Sequence, residues 1–179
     1  MSKALIVYGT RYGAAASTSE EIANVLRQER VDAKVVNAKE EKIKDITDYN
    51  LVVVGSGILI NRWTSEPEDF LKKFQKELAT KKLALFVCCG SASANEPEIV
   101  AKLKQKYLQE KASKYNLLPF ALGLFGGVYN YNKEPWYAKK AMEMDRPRVQ
   151  AKFKETAPGI YDTRDWDAIR SWAKALAKA

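Results

Sequence analysis

Five short strand-like runs, most of them strongly apolar, recur along the chain, separated by longer segments in which apolar residues fall at helical spacing. The runs lie at about 3–8 and 33–37, in "LVVVGSG" from residue 51, in "KLALFVCCG" from 82 and in "LLPFALGLFGG" from 117. A strand with no polar face must be covered on both sides, and parallel neighbours need crossover connections. The intervening segments supply those crossovers: about 19–30, "EPEDFLKKFQKEL" from 66, the long charged stretch from Asn95, and the closing "TRDWDAIRSWAKALAK". Each helix start carries Pro or an acid near the positive end of its dipole. This pattern predicts a doubly wound α/β fold, a five-stranded parallel sheet with helices on both faces.

At 179 residues, with 46% hydrophobic and 29% charged side chains, the chain is expected to form one domain over 1–179 with a core of its own. There is no histidine, so neither a His-containing triad nor the commonest metal ligand is present. The adjacent pair Cys88 and Cys89 lacks Cys-x-x-Cys spacing and sits in an apolar strand, which predicts free thiols serving as core filler. Thiols of that kind suit a reducing cytoplasm, and the start "MSKALIVYGTRYG" lacks the form of a signal peptide, so a cytoplasmic location is expected. The longest apolar stretch, 117–128, is too short for a membrane-spanning helix, for which about 20 residues are needed.

The first strand runs into "YGTRYGAAASTSEEIA", residues 8–23. A loop after the first parallel strand emerges at the carboxyl edge of the sheet, where ligands bind in this architecture. Gly9 and Gly13 permit tight backbone paths, Ala14, Ala15 and Ala16 allow close approach, and Ser17, Thr18 and Ser19 offer hydroxyls beside the open amides of a helix start. That chemistry suits a phosphate. The plain alternative is that one hydroxyl simply caps the helix. The nucleotide-binding Gly-Lys-Ser/Thr pattern and the dinucleotide Gly-x-Gly-x-x-Gly pattern are both absent.

Together "YGTRYG", "TSEEIA", "DYNLVVVGSGI" and "FVCCGSASANEPE" resemble the flavodoxin-like superfamily. More narrowly, "GTRYG", "NRWTSEPEDFLKKF" and "YDTRDWDAIRSWAKALA" are similar to the branch of flavodoxin-domain proteins that includes the menaquinone-dependent protoporphyrinogen oxidases. The resemblance implies the strand order 2-1-3-4-5 and an FMN cofactor whose phosphate sits on the first loop, at Thr10, Arg11, Tyr12, Gly13, Ala14, Ala15, Ala16, Ser17 and Thr18, with Thr10, Ser17 and Thr18 the hydroxyl candidates. It further implies that the flavin ring is held by the loops after the third and fourth strands, through Gly57, Ile58, Leu59, Ile60 and Trp63, and through Gly90, Ser91, Ala92 and Ser93. Trp63 could equally anchor its loop to the following helix. "AAAST" is longer than the family's usual path into the helix. Arg11 and Arg62 are cations near the expected site, and a positive charge there would favour an anionic reduced flavin, although both could simply be solvated.

Lys and Arg exceed Asp and Glu by eight, and half of that excess falls within 129–154. This stretch belongs to an insertion at about 129–158 that interrupts the α/β rhythm and interleaves Tyr129, Tyr131, Trp136, Tyr137 and Phe153 with cations. Such a segment could be a lid or partner-docking surface, a weak membrane-surface contact, a nucleic-acid contact, which is the least favoured, or an excursion whose aromatics join the core. Three functions are compatible with these observations. The leading one is an FMN-binding electron-transfer protein serving a redox partner protein or a small-molecule acceptor. The others are a flavin-dependent oxidoreductase resembling protoporphyrinogen oxidase or a quinone reductase, and a flavin-free interaction module. Cofactor residues are expected, but no catalytic side chain and no metal ligand.

Overall fold

The computed structural model describes residues 1–179. The first apolar run forms β1 (Lys3–Gly9), and the chain turns at Gly13 into α1 (Ala14–Gln28). Gly13 has φ +94°, a left-handed conformation that a side chain resists, and it sets the helix start. The helix therefore begins about five residues earlier than the expectation of 19. Alanine is the best helix former, so Ala14–Ala16 extend α1 rather than lengthen the loop.

The chain continues through β2 (Asp32–Asn37), β3 (Leu51–Leu59) and a two-residue β4 (Arg62–Trp63). Strand β4 folds back on β3 through Ile60 and Asn61, which both have positive φ, at 47° and 58°. Next come α2 (Ser65–Lys73), α3 (Gln75–Leu78), β5 (Lys82–Cys88), a 3-10 turn at Gly90–Ala94, α4 (Pro97–Lys104), a wide helical turn at Gln105–Gln109 and α5 (Glu110–Lys114). The remainder is β6 (Ala121–Phe125), β7 (Val128–Asn130), α6 (Lys139–Lys152), β8 (Glu155–Ala157), β9 (Ile160–Asp162) and α7 (Trp166–Lys178).

The main sheet runs β2-β1-β3-β5-β6, parallel throughout, which is the expected five-stranded order 2-1-3-4-5. Two features add to it: β4 pairs antiparallel with β3, and β7-β9-β8 form a separate antiparallel sheet. Alternate residues of the central strands feed opposite layers. Leu5, Val7, Val52, Val54, Leu85 and Val87 pack with Phe70, Leu71 and Leu108 on one face. Ala4, Ile6, Val53 and Phe86 pack with Ile22 and Leu26 of α1 and Ile169 and Leu176 of α7 on the other. Burial on both faces is what makes these central runs strongly apolar.

β1 lies between β2 and β3, so successive connections leave it in opposite directions and a crevice opens over its carboxyl end. The 129–158 excursion contributes β7, α6 and β8, and its aromatics do not join the main layers. Tyr129, Val149 and Tyr161 form a third cluster, with Tyr131, Met142 and Phe153 packed against it. No helix is long and apolar enough to cross a membrane.

Candidate functional site

The crevice at the carboxyl edge is walled by the first loop, by the ends of β3 and β5, and by the β6–β7 connection. Thr10, Arg11, Tyr12 and Ala14 line one side, and Gly57, Ile58, Leu59 and Thr64 line another. Cys88, Gly90, Gly127 and Val128 close the remainder. Its volume is about 90 Å³, small beside the 300–1,000 Å³ typical of ligand pockets, so it is a slot rather than a bowl. A larger depression of about 630 Å³ lies at the opposite edge between Met1, Tyr49, Asn50 and Lys82. It is open and predominantly polar, and none of the expected site residues borders it.

The first loop presents main-chain donors. Thr10 Oγ1 accepts from the Gly13 N–H at 2.9 Å, and the first helical bond runs from Ser17 N–H to the Gly13 carbonyl at 3.1 Å. The N–H groups of Ala14, Ala15 and Ala16 therefore stand outside the helix's own bonding, at the positive end of α1. Gly57 leaves open space where a Cβ would lie, with no atom within 4 Å.

Of the residues expected from the sequence, Thr10, Arg11, Tyr12, Ala14, Gly57, Ile58, Leu59 and Gly90 come together around this slot. Others are placed differently. Because the helix starts at Ala14, the side chains of Ala15 and Thr18 point into the core and are fully buried. Thr18 Oγ1 lies 3.4 Å from Cys88 Sγ, so it is not an exposed hydroxyl. Ala16 is half-buried on the same helix. Ser17 is exposed, yet its hydroxyl donates to the Gly13 carbonyl at 3.2 Å. Ile60 stands out in solvent at the β3–β4 turn.

Trp63 is an anchor, but to the turn at Gln105–Gln109 and not to the following helix α2. It is buried, and its indole N–H donates to the Tyr107 carbonyl at 2.8 Å. Arg11 is not a free cation, since Glu66 accepts from its Nη1 at 3.2 Å and 3.3 Å. Burial pushes the Glu66 carboxyl up, but a main-chain bond and the Arg11 guanidinium bring it below its ordinary range. Arg62 is exposed and makes no ion pair. Ser91 is exposed, while Ala92 and Ser93 are half-buried on the turn after β5. Ser93 Oγ donates to the Gly90 carbonyl at 2.6 Å.

The thiols are core groups as expected. Both cysteines are free and buried. Burial pushes Cys88 up to about 11 against the lowering influence of Thr18 and Arg164, and burial likewise raises Cys89.

The sequence assigns no role to Arg164, which braces the first turn of α1 beside the site. Its side chain is 6% exposed. Nε and Nη2 each donate to a carboxylate oxygen of Asp162 at 2.9 Å. Nη1 donates to the Ala14 carbonyl at 2.9 Å, to Ser17 Oγ at 2.6 Å and to Thr18 Oγ1 at 3.2 Å. The guanidinium also lies over the Trp166 ring at 4.3 Å. Its neighbour Thr163 ties the connection after β6, accepting from Gly127 N–H at 3.1 Å and donating to the Gly127 carbonyl at 2.8 Å. The signal was the dense polar run "YDTRDWD", but nothing in it reveals a partner near residue 17.

The excursion is seated on the rim at two points. Tyr137 and Tyr12 approach hydroxyl to hydroxyl at 3.0 Å, and this bond, with burial, raises Tyr12. Arg148 Nη1 donates to Ser93 Oγ at 3.0 Å. No group of three or more His, Cys, Asp or Glu side chains is placed to hold a metal ion.

Residues 5–154 match the protein family described as a flavodoxin domain. Over 181 aligned residues the chain is 23% identical to the protoporphyrinogen IX dehydrogenase [quinone] of Escherichia coli K12, covering 98% of this chain and 94% of that one. Among solved structures it resembles a short-chain flavodoxin associated with a bacterial microcompartment, with TM-score 0.61, 13% identity and coverage of 99% and 98% of the two chains. It also resembles a flavoprotein of Lactobacillus acidophilus NCFM solved in complex with FMN, with TM-score 0.50, 14% identity and coverage of 69% and 93%.

Proposed function

The chain belongs to the flavodoxin domain family, and from that premise we propose that it binds FMN in the slot above β1 and transfers electrons. The observation that carries this reading is the start of α1, where three main-chain N–H groups have no helical acceptor and Ala14, the first of the three, lines the switch-point crevice. Ala14, Ala15 and Ala16 would hold the phosphate through those donors, with the Thr10 hydroxyl beside them. Gly57, Ile58 and Leu59 would border the ring from one side, and Tyr12 from the other. The residues fit such a group: one end of the slot offers donors, the other is apolar, and Gly57 leaves room for a flat ligand. FMN, when bound, supplies the redox chemistry, and the chain's own residues bind it, orient it and limit water.

At about 90 Å³ the slot is smaller than a flavin needs, and Tyr12, which lines it, is held by Tyr137 at its rim. Uptake of a flavin would require the slot to widen, and the Tyr12–Tyr137 contact is one that could part.

The alignment to the protoporphyrinogen IX dehydrogenase over 98% of this chain favours a second reading, a flavin-dependent oxidation of a tetrapyrrole with a quinone as acceptor. Steady-state turnover of protoporphyrinogen or a quinone by the FMN-loaded chain would select it; its absence with retained one-electron exchange selects electron transfer.

The first test is uptake. The purified chain should release FMN on denaturation or take it up when it is supplied. The Gly57→Val variant should fold like the parent, because its side chain enters open space, and should lose FMN binding by at least about tenfold. A parent that neither carries nor takes up FMN would leave the flavin-free interaction module standing.

A further inference from the structure

The 129–154 segment contains three acids, of which two are tied to arginines of the same segment and the third, Glu134, has no cationic partner. Glu143 accepts from Arg146 at 3.0 Å, and Asp145 accepts from Arg148 at 3.2 Å and from the Tyr129 hydroxyl at 2.6 Å. Glu134 is half-buried beside Glu143. By contrast Lys133, Lys139, Lys140, Lys152 and Lys154 are all exposed and appear in no ion pair. With Arg146 and Arg148 offset by Glu143 and Asp145, these five lysines stand against the one unpaired carboxylate of Glu134, and the segment's net charge toward solvent is positive.

Two bulky apolar side chains stand within that field. Trp136 is 88% exposed and Met144 is 75% exposed. The Trp136 ring packs only edge-on against Tyr137, which in turn reaches Tyr12 at the rim of the slot. A large, nearly naked tryptophan in the same segment as exposed, unpaired lysines is the composition of a protein-binding hot spot with electrostatic steering. A bilayer would instead require a broad apolar face, and α6 has none, with lysines, arginines and acids all round its circumference.

We propose that this surface docks an acidic electron-carrier protein against the rim of the slot, with Trp136 as the apolar anchor and Lys139 and Lys140 as the steering charges. The identity of the docked protein as an electron carrier rests on the FMN reading above. The docking surface itself stands on charge and exposure.

A matched pair of probes tests it: native cytochrome c, which is basic, and the same protein fully succinylated, which is acidic. Binding is measured by calorimetry with and without FMN, at low ionic strength and near 0.15 M, where the Debye length is about 8 Å. The succinylated form should bind and weaken with salt, and the native form should not bind. Lys139→Glu with Lys140→Glu should weaken binding at least about tenfold. Trp136→Ala should also weaken it. Lys174→Glu with Lys178→Glu, an equal charge change on exposed positions of α7 toward the opposite edge of the sheet, should change it less than about twofold.

Equal losses from the two lysine pairs would overturn the proposal, because only net charge would then be at work. So would Trp136→Ala abolishing binding to phosphatidylserine vesicles while leaving the succinylated protein unaffected, which would make the surface a membrane contact. The readout is binding, so a chain that shows this pattern but never takes up FMN refutes the flavin reading and leaves the surface in place.

Discussion

Arg164 Nη1 stands 2.6 Å from Ser17 Oγ, so a guanidinium from the connection between β9 and α7 fixes the first turn of α1. The same group is paired in both directions with Asp162 and is almost fully buried. Burial pushes Asp162 up, but the bonds from Arg164 hold its carboxyl below the ordinary range. Removing one partner of such a pair strands the other charge, at a cost of about 3–5 kcal/mol. Arg164→Met should therefore lower unfolding stability by that order in denaturant titration and weaken FMN binding. The double variant Arg164→Met with Asp162→Asn should recover part of the stability but not the binding. A single variant as stable as the parent would contradict this assignment.

Glu68 ties α2 to α5. It accepts from Lys114 at 2.6 Å and from the Tyr115 hydroxyl at 2.7 Å, and pairs with Lys111 at 2.8 Å. Burial alone would raise its carboxyl, yet these partners bring it down to about 2. The folded value lies below the unfolded one of about 4.3, so the stabilisation is complete above that pH and is lost as pH falls toward 2. Glu68→Gln should lower stability at pH 7 by about 1 kcal/mol. The difference from the parent should shrink between about pH 4.5 and 2, followed by urea unfolding at several pH values. A difference that stays constant over that window would sink the linkage.

Ile60 has φ 47° at an exposed turn beside the slot, a conformation that a β-branched residue occupies only under strain. Ile60→Gly should raise stability by about 1 kcal/mol, read as a higher melting temperature. A fall in stability would show that Ile60 makes a contact worth more than the strain.

Cys88 and Cys89 should resist alkylation. With Cys88 pushed up to about 11 and both thiols buried, iodoacetamide at pH 8 should modify the folded chain at least about a hundredfold more slowly than the urea-unfolded one. Rapid labelling of the native protein, followed by mass spectrometry, would contradict a core-filling role.

The central parallel strands were legible because burial on two faces leaves little room for a polar residue, and Ile6, Val53 and Phe86 report that directly, while β2, at the edge, shows an alternation of buried and exposed residues instead. The start of α1 was not, since alanine suits a close-approach loop and a helix alike, and only the left-handed Gly13 decides between them. α6 was obscured by Pro147 in its interior and by charges on every side, and β7, β8 and β9 are three residues each, too short to show a period. Trp63 could not be assigned from its neighbours because its partner, the Tyr107 carbonyl, lies 44 residues away. Arg164 and Ser17 are 147 residues apart, and no local spacing brings them together.

The most direct measurement compares FMN with riboflavin, which differ by the phosphate alone, by fluorescence or calorimetric titration of the flavin-free chain. Expected is one FMN per chain, with riboflavin bound at least about tenfold more weakly, because charge-assisted bonds at the α1 start contribute roughly 1.5–3 kcal/mol each. Equal affinity for the two, or no uptake of either, would contradict a phosphate held by Ala14–Ala16.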